Sequence, residues 1–180
     1  LDRMDPEKIS ATMAREGVTV ASFPPNLYAQ LKDISPRILV TAGSASDRGI
    51  VEKASDCRYV NSYGPTECTV AVTHWEGAME HHFVPIGKPI PNKAVYILRG
   101  DRLCGIGVPG EICVAGVGIA RGYLGCEELT RQRFVSNPFG DGVLYRTGDM
   151  GMMMPDGNIR FLGRVDDQVK IRGYRVEPGE

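Results

Sequence analysis

No stretch of this sequence stays apolar long enough to cross a bilayer. The longest such run, Ile112 to Ala120, has nine residues with two glycines inside it, about half of a spanning helix. Net charge is equally scarce. The 21 Lys and Arg stand against 22 Asp and Glu, which excludes a broad polyanion-binding surface and with it nucleic acid as a leading partner. The five cysteines are an odd number and no two have C-x-x-C spacing. A disulfide framework or thiolate metal site would need closer pairs, so they read as reduced thiols of a cytosolic protein. A phosphate loop of the form G-x-x-x-x-G-K-[ST] is missing too, since Gly87-Lys88 is followed by Pro89. Repetition at a period of roughly 20–50 residues is also absent.

What is present is the balance of a folded domain: 42% hydrophobic and 24% charged residues. The 22 glycines exceed the usual share and imply many turns or close backbone approaches. The chain begins at Leu1 and stops at Glu180 within a running motif, so a segment of something larger is expected.

The first third alternates helix and strand signals. Asp5-Pro6 opens a helix with Ile9 and Met13 on one face, and Gly17 stops it. Val18 to Ser22 predicts a strand, Leu27 to Asp33 a helix, and Arg37 to Thr41 a strand. Ser46 is expected to cap a helix through Ala54, and Arg58 to Asn61 forms the next strand. Strands about 20 residues apart with helices between imply a parallel sheet, in which ligands bind beyond the carboxyl ends of the strands. The loops at Ser22–Asn26, Thr41–Ser46 and Ser62–Glu67 would share that rim. From about Val70 the pattern changes to short strands punctuated by turns. These are predicted at Val70–His74, Ala94–Leu98, Glu111–Ala115, Gly142–Arg146 and Asn158–Leu162, with one helix at Cys126–Phe134. The fold class is therefore α/β followed by a β-rich, barrel-like subdomain.

Two formal motifs dissolve on inspection. Gly105-Ile-Gly107-Val-Pro-Gly110 matches G-x-G-x-x-G, but a strand-like Glu111-Ile-Cys-Val follows in place of a helix, so it reads as a hairpin turn. His74, Glu76, Glu80, His81 and His82 share no regular face and read as a solvated loop. Asn61-Ser62-Tyr63-Gly64-Pro65-Thr66-Glu67 asks for more. A tyrosine face can stack on a purine, a threonine hydroxyl can donate to phosphate, and a glutamate offers a hard ligand to Mg²⁺. A bare turn stays open beside a nucleotide site. Tyr145-Arg-Thr-Gly148-Asp149 follows a strand, where Asp149 could accept from ribose hydroxyls or merely cap a turn. The basic stretch Gly163–Glu177 reads either as a charged edge strand or as a connector meeting phosphate.

Asn61–Glu67, Gly110–Leu124, Tyr145–Asp149 and Gly163–Glu177, in that order, resemble the core motifs of adenylate-forming enzymes. The closest resemblance is to amino-acid adenylation domains of nonribosomal peptide synthetases, over essentially the whole chain. The resemblance implies activation of an amino acid by ATP and Mg²⁺ as an aminoacyl-adenylate. The acyl group then passes to the phosphopantetheine thiol of a peptidyl carrier domain. Carried over by position, Asn61, Ser62 and Tyr63 line the adenine pocket, Thr66 touches phosphate, Glu67 binds Mg²⁺, and Asp149 holds the ribose with Arg164 beside it. Phe161 stands where the family often has Tyr. Asp166 matches a hinge and Lys170 a residue of the thioester-forming conformation. Ser22, Val40, Ala42, Ser62, Val70 and Ala71 match acid-pocket positions; being small or apolar and uncharged, they imply a substrate with an uncharged, apolar or aromatic side chain.

The Gly-rich segment ending Ala120-Arg121-Gly122-Tyr123-Leu124 reads as scaffold, outside the site. The resemblance also implies an α/β portion of the large domain over 1–75, a β-rich subdomain over 76–163, and a hinge with the first strand of a small domain over 164–180. The parent is expected to be a monomeric, cytoplasmic, multidomain chain touching no membrane. The segment alone is expected to be inactive and to expose apolar surface. A stand-alone ligase loading D-alanine, an aryl acid or coenzyme A, or a non-catalytic nucleotide-binding relic, are the competing expectations.

Overall fold

The computed structural model describes residues 5–77 and 82–165, together with the strands Val169–Ile171 and Tyr174–Val176. The chain divides into two compact units, Leu1–Ser62 with Glu76–Val84 and Val169–Glu180, and Tyr63–Trp75 with Pro85–Gln168.

In the first unit α1 (Pro6–Glu16) begins where expected. The Asp5 carboxylate accepts from the backbone N–H of Glu7 and Lys8, and Gly17 turns left-handed (φ 62°) to bond back to Met13 and Ala14. Strand β1 (Val20–Phe23) follows, then α2 (Pro25–Tyr28). This second helix starts and stops earlier than the predicted Leu27–Asp33. The Lys53 ammonium takes the carbonyls of Tyr28, Ala29 and Leu31 at 2.9, 2.9 and 2.5 Å and so terminates it from more than 20 residues away. Strand β2 (Ile38–Thr41), α3 (Arg48–Lys53) and β3 (Arg58–Tyr63) complete the alternation. The cap of α3 is Asp47, which accepts from Ile50 N–H at 2.9 Å, and not Ser46. Ser46 is engaged elsewhere: its hydroxyl joins those of Thr41 and Tyr59 in a network at the end of the strands.

Strands β1, β2 and β3 are parallel, with Ser22 opposite Val40 and Thr41 opposite Asn61. Ala21, Leu39 and Tyr59 fill one face of this sheet and are buried, while Ser22 on the other face is exposed. Each fully buried leucine or isoleucine here stabilises the unit by about 1.5–3 kcal/mol.

The second unit is β-rich, as its turn punctuation implies. Strand β4 (Thr73–Glu76) pairs antiparallel with β5 (Lys88–Pro89). The predicted strand at Val70–His74 starts three residues late because Thr69 and Val70 both adopt positive φ (59° and 67°) and break the extended run. Strands β6 (Lys93–Arg99), β7 (Arg102–Leu103) and β8 (Gly110–Gly116) come next, then α4 (Glu127–Arg133), β9 (Phe134–Ser136), β10 (Val143–Met153) and β11 (Ile159–Arg164). The sheet runs β11-β10-β8-β6-β7, with β9 on β10. Strand β8 is central and alternates between two cores. Ile112 and Val114 pack with Tyr63, Val72, Tyr145 and Ile159, whereas Cys113 and Ala115 pack with Leu98 and Leu144. At the carboxyl end β12 (Val169–Ile171) and β13 (Tyr174–Val176) form a hairpin of their own. Among the described residues no helix is long and apolar enough to cross a membrane.

Candidate active site

A bulge in β10 builds the centre of the second unit's polar cluster. Against β8, Arg146 sits opposite Cys113 and Met150 opposite Glu111, so three residues of β10 span the space of one on β8. Gly148 enters left-handed (φ 74°) within that bulge. Three bonds hold it: Thr147 Oγ1 donates to the Ile112 carbonyl at 2.6 Å, Gly148 N–H donates to Glu111 Oε1 at 3.0 Å, and Asp149 N–H donates back to Thr147 Oγ1 at 2.9 Å. Glu111 is itself held by Arg146, 2.9 Å away.

Within the bulge Asp149 lies directly across from Arg164 on β11. Arg164 Nη1 donates to Asp149 Oδ1 at 2.6 Å, and the Tyr63 hydroxyl donates to Oδ2 at 2.6 Å. The ion pair is nearly dry, with side chains 14% and 6% exposed; removing one partner of such a pair leaves an uncompensated charge. Burial first, then the Asp149 charge and hydrogen bond, hold the Tyr63 hydroxyl well above the usual tyrosine range. It therefore stays protonated and a donor. Its ring lies 6.2 Å from that of Phe161, tilted by 41°. Asp149, Arg164, Tyr63 and Phe161 are thus together.

Three residues beyond Tyr63 the chain makes a single turn of 3-10 helix, Thr66–Cys68, in which Thr66 is exposed and Glu67 is buried. The loop closes on itself through Val72 N–H to the Tyr63 carbonyl at 2.8 Å. Gly64 makes that closure possible, because a Cβ there would collide with the Val70 carbonyl and stand 2.9 Å from Val72 N. From the other side the Gly-rich segment docks onto the turn. Ala120 N–H donates to the Glu67 carbonyl at 2.7 Å, and Thr69 Oγ1 donates to the Gly118 carbonyl at 2.7 Å. Lys93 Nζ donates to the Cys68 carbonyl at 2.9 Å. The Tyr123 hydroxyl donates to Glu67 Oε1 at 2.7 Å and lies 3.1 Å from the Tyr145 hydroxyl.

Tyr123 is the residue in contact with Glu67 that the motifs place outside the site. Its neighbours are glycines and small residues, which suggest backbone packing, and nothing local connects it to a carboxylate 56 positions upstream. The tyrosine side chain amid small residues was the available signal. Tyr145 was likewise read only as the start of a motif. Burial, then its hydrogen bond with Tyr123 and the Glu67 charge, drive its hydroxyl far above the usual range.

The remaining expected residues fall in several places. Asn61 is buried in the first unit, its Oδ1 accepting from Thr41 Oγ1 at 3.4 Å, and Ser62 is half-buried next to it on β3. Ser22 and Val40 are cross-strand neighbours, and Ala42 follows β2. Val70 and Ala71 belong to the second unit, Val70 being 69% exposed. Asp166 lies outside the described residues. Lys170 is on β12 opposite Arg175, and its side chain is likewise outside them.

The donor set accommodates Mg²⁺. That ion takes one or two carboxylates together with substrate phosphates and water, and does not need an all-protein cage. Glu67 next to the exposed Thr66 would supply such a foothold, and among the described residues there is no cluster of three or more acidic, His or Cys ligands.

Known proteins share the sequence and the fold. The AMP-binding enzyme family matches residues 1–124. This chain belongs to that family. Among curated relatives it is 48% identical over 180 residues to bacitracin synthase 1 of Bacillus licheniformis, covering 99% of this chain and 3% of that protein. It is 46% identical over 177 residues to tyrocidine synthase 1 of Brevibacillus parabrevis, covering 93% of this chain and 16% of that one. The fold matches that of holo-PA1221, a nonribosomal peptide synthetase protein containing adenylation and PCP domains, with TM-score 0.86 and 32% identity over 96% of this chain and 33% of that chain. This member of the family therefore spans a small part of the synthetases it resembles. Its α/β and β-rich halves are those of an adenylation domain's large domain.

Proposed function

We propose that the chain supplies the nucleotide-gripping part of an amino-acid adenylation domain in nonribosomal peptide synthesis. The observation that carries this reading is the contact of Tyr63 and Arg164 with one buried carboxylate, Asp149, Tyr63 standing three residues before the Thr66–Glu67 turn. A carboxylate can accept about four hydrogen bonds. With Tyr63 and Arg164 fixing its orientation, Asp149 retains capacity for the ribose hydroxyls of ATP. Asn61 and Ser62 are assigned to the adenine edge, and Phe161 to packing beside the nucleotide. Tyr63 acts through Asp149 as well as through its ring.

Thr66 donates to a phosphate oxygen, and Glu67 holds Mg²⁺. When bound, that ion neutralises charge on the phosphates. Arg164 adds fixed positive potential. The amino-acid carboxylate attacks the α-phosphate and pyrophosphate leaves; the acyl group of the adenylate then passes to a phosphopantetheine thiol on a carrier domain, with AMP as leaving group. The protein's part is to position the reactants and compensate charge. Asp166 and Lys170 are assigned to the hinge and to the thioester-forming state. Uncharged residues at the acid-pocket positions favour an amino acid with an uncharged side chain.

The test is amino-acid-dependent ATP–pyrophosphate exchange by the intact protein that carries this sequence. Asp149→Asn and Glu67→Ala should each lower exchange by about two orders of magnitude, in line with the loss of a charge-stabilising group. Unchanged exchange in both variants would refute the assignment.

A further inference from the structure

We infer that Tyr123 is a positioning residue for the magnesium-binding carboxylate, holding Glu67 by a hydroxyl–carboxylate hydrogen bond. This rests on the assignment of Glu67 to Mg²⁺. The Gly-rich segment is then more than scaffold, because it carries the group that sets the direction in which Glu67 presents its second oxygen.

Three observations meet at this point. Tyr123 donates to Glu67 Oε1 at 2.7 Å, a charge-assisted length. The backbone of the same segment grips the same residue, with Ala120 N–H on the Glu67 carbonyl at 2.7 Å. The Tyr123 ring is itself fixed: it packs edge-on against Phe134 with centroids 5.4 Å apart, and its backbone N–H donates to Thr130 Oγ1 at 2.9 Å. Phe134 in turn packs on Tyr145, centroids 4.8 Å apart, and the Tyr145 hydroxyl lies 3.1 Å from that of Tyr123. An aromatic brace made by α4, β9 and β10 thus ends in a hydroxyl on Glu67. A carboxylate on a turn this short has rotamers to lose, and a fixed donor on one oxygen leaves fewer of them. Hydrogen-bonding partners of a metal-binding carboxylate orient it and tune its affinity, and removing one costs about 10- to 100-fold in metal affinity or activity.

The experiment uses the intact protein and binding without turnover. Binding of a fluorescent ATP analogue is titrated with Mg²⁺ in the absence of amino acid, for wild type, Tyr123→Phe, Glu67→Gln and the double variant. Tyr123→Phe should raise the Mg²⁺ concentration for half-maximal binding about 10- to 100-fold and leave Mg²⁺-free binding unchanged. In the Glu67→Gln background the same substitution should shift the midpoint less than about twofold, since its effect passes through the carboxylate. Phe134→Leu loosens the ring packing but keeps the hydroxyl. It should lower the thermal midpoint while the Mg²⁺ midpoint shifts less than in Tyr123→Phe, because the donor is loosened and not removed.

An unshifted Mg²⁺ midpoint in Tyr123→Phe overturns the inference while Glu67 keeps its role. So does an equal shift in the Glu67→Gln background. A shift in Phe134→Leu as large as that expected of Tyr123→Phe makes the effect one of packing, and overturns it even if Tyr123→Phe does not fold. An unshifted midpoint in Glu67→Gln removes the underlying magnesium assignment along with it.

Discussion

Replacing Tyr63 by phenylalanine deletes one oxygen from the centre of the site and little else. The ring keeps its place among Cys68, Val72, Ile112 and Phe161. What goes is a 2.6 Å hydrogen bond to a carboxylate that is 6% exposed. Hydrogen bonds to charged groups contribute about 1.5–3 kcal/mol, and water cannot readily replace this donor at such burial. At 1.36 kcal/mol per decade that is about 10- to 150-fold in the folding equilibrium. For a folded chain of 180 residues the melting temperature should fall by about 3–12 °C. The assay is thermal and urea unfolding of the intact protein, with the urea slope unchanged because the same surface is exposed.

Asp149→Asn should cost more, about 3–5 kcal/mol, because it removes the carboxylate charge facing the largely buried Arg164 guanidinium. The two substitutions should couple by about 0.5–3 kcal/mol. A melting shift under about 1 °C for Tyr63→Phe, or strict additivity with Asp149→Asn, would refute the claim that this hydroxyl supports the carboxylate.

Other outcomes follow from the same packing. Gly64→Ala should destabilise the second unit by about 1–3 kcal/mol or more, since its Cβ meets the Val70 carbonyl; normal melting would contradict the tight closure of the Thr66 turn. Thiol labelling of the folded protein should modify exposed Cys126 fastest and leave buried Cys68 and Cys113 protected until unfolding. Burial pushes both of those thiols up to about 12 from 9.0, and the Tyr28 hydroxyl up to about 12 from 10.0. These groups are protonated in both folded and unfolded chains below about pH 9, so their contribution is fully present there. Between about pH 9 and 12 the unfolded chain ionises first, and stability should fall steadily. A flat pH profile of urea midpoints across that window would contradict the burial.

Local signals explain some elements and miss others for definable reasons. Asp5, Pro6 and Gly17 mark both ends of α1 because caps act within one turn. The end of α2 depends on Lys53, and the cap of α3 passed to Asp47 because Ser46 had a tertiary partner in Tyr59. Both are decided by contacts distant in sequence. At the site, Tyr63 and Glu67 were visible in one motif, and Asp149 and Arg164 in two others. The bulge that turns Asp149 toward Arg164 and Tyr63 was not. Its anchors, Glu111 and the Ile112 carbonyl, sit on a neighbouring strand more than 30 residues away. Tyr123 stayed hidden for the same reason: the small residues around it advertise packing, and its partner is known only once the chain has folded.

The central claim is that Asp149 grips the ribose of ATP. The direct measurement compares equilibrium binding of ATP and 2′,3′-dideoxy-ATP to the intact protein and to its Asp149→Ala variant. The wild type should prefer ATP by at least about tenfold, the worth of one charge-assisted hydrogen bond, and the variant should bind the two nucleotides equally. A variant that still prefers ATP by the wild-type factor would contradict the account.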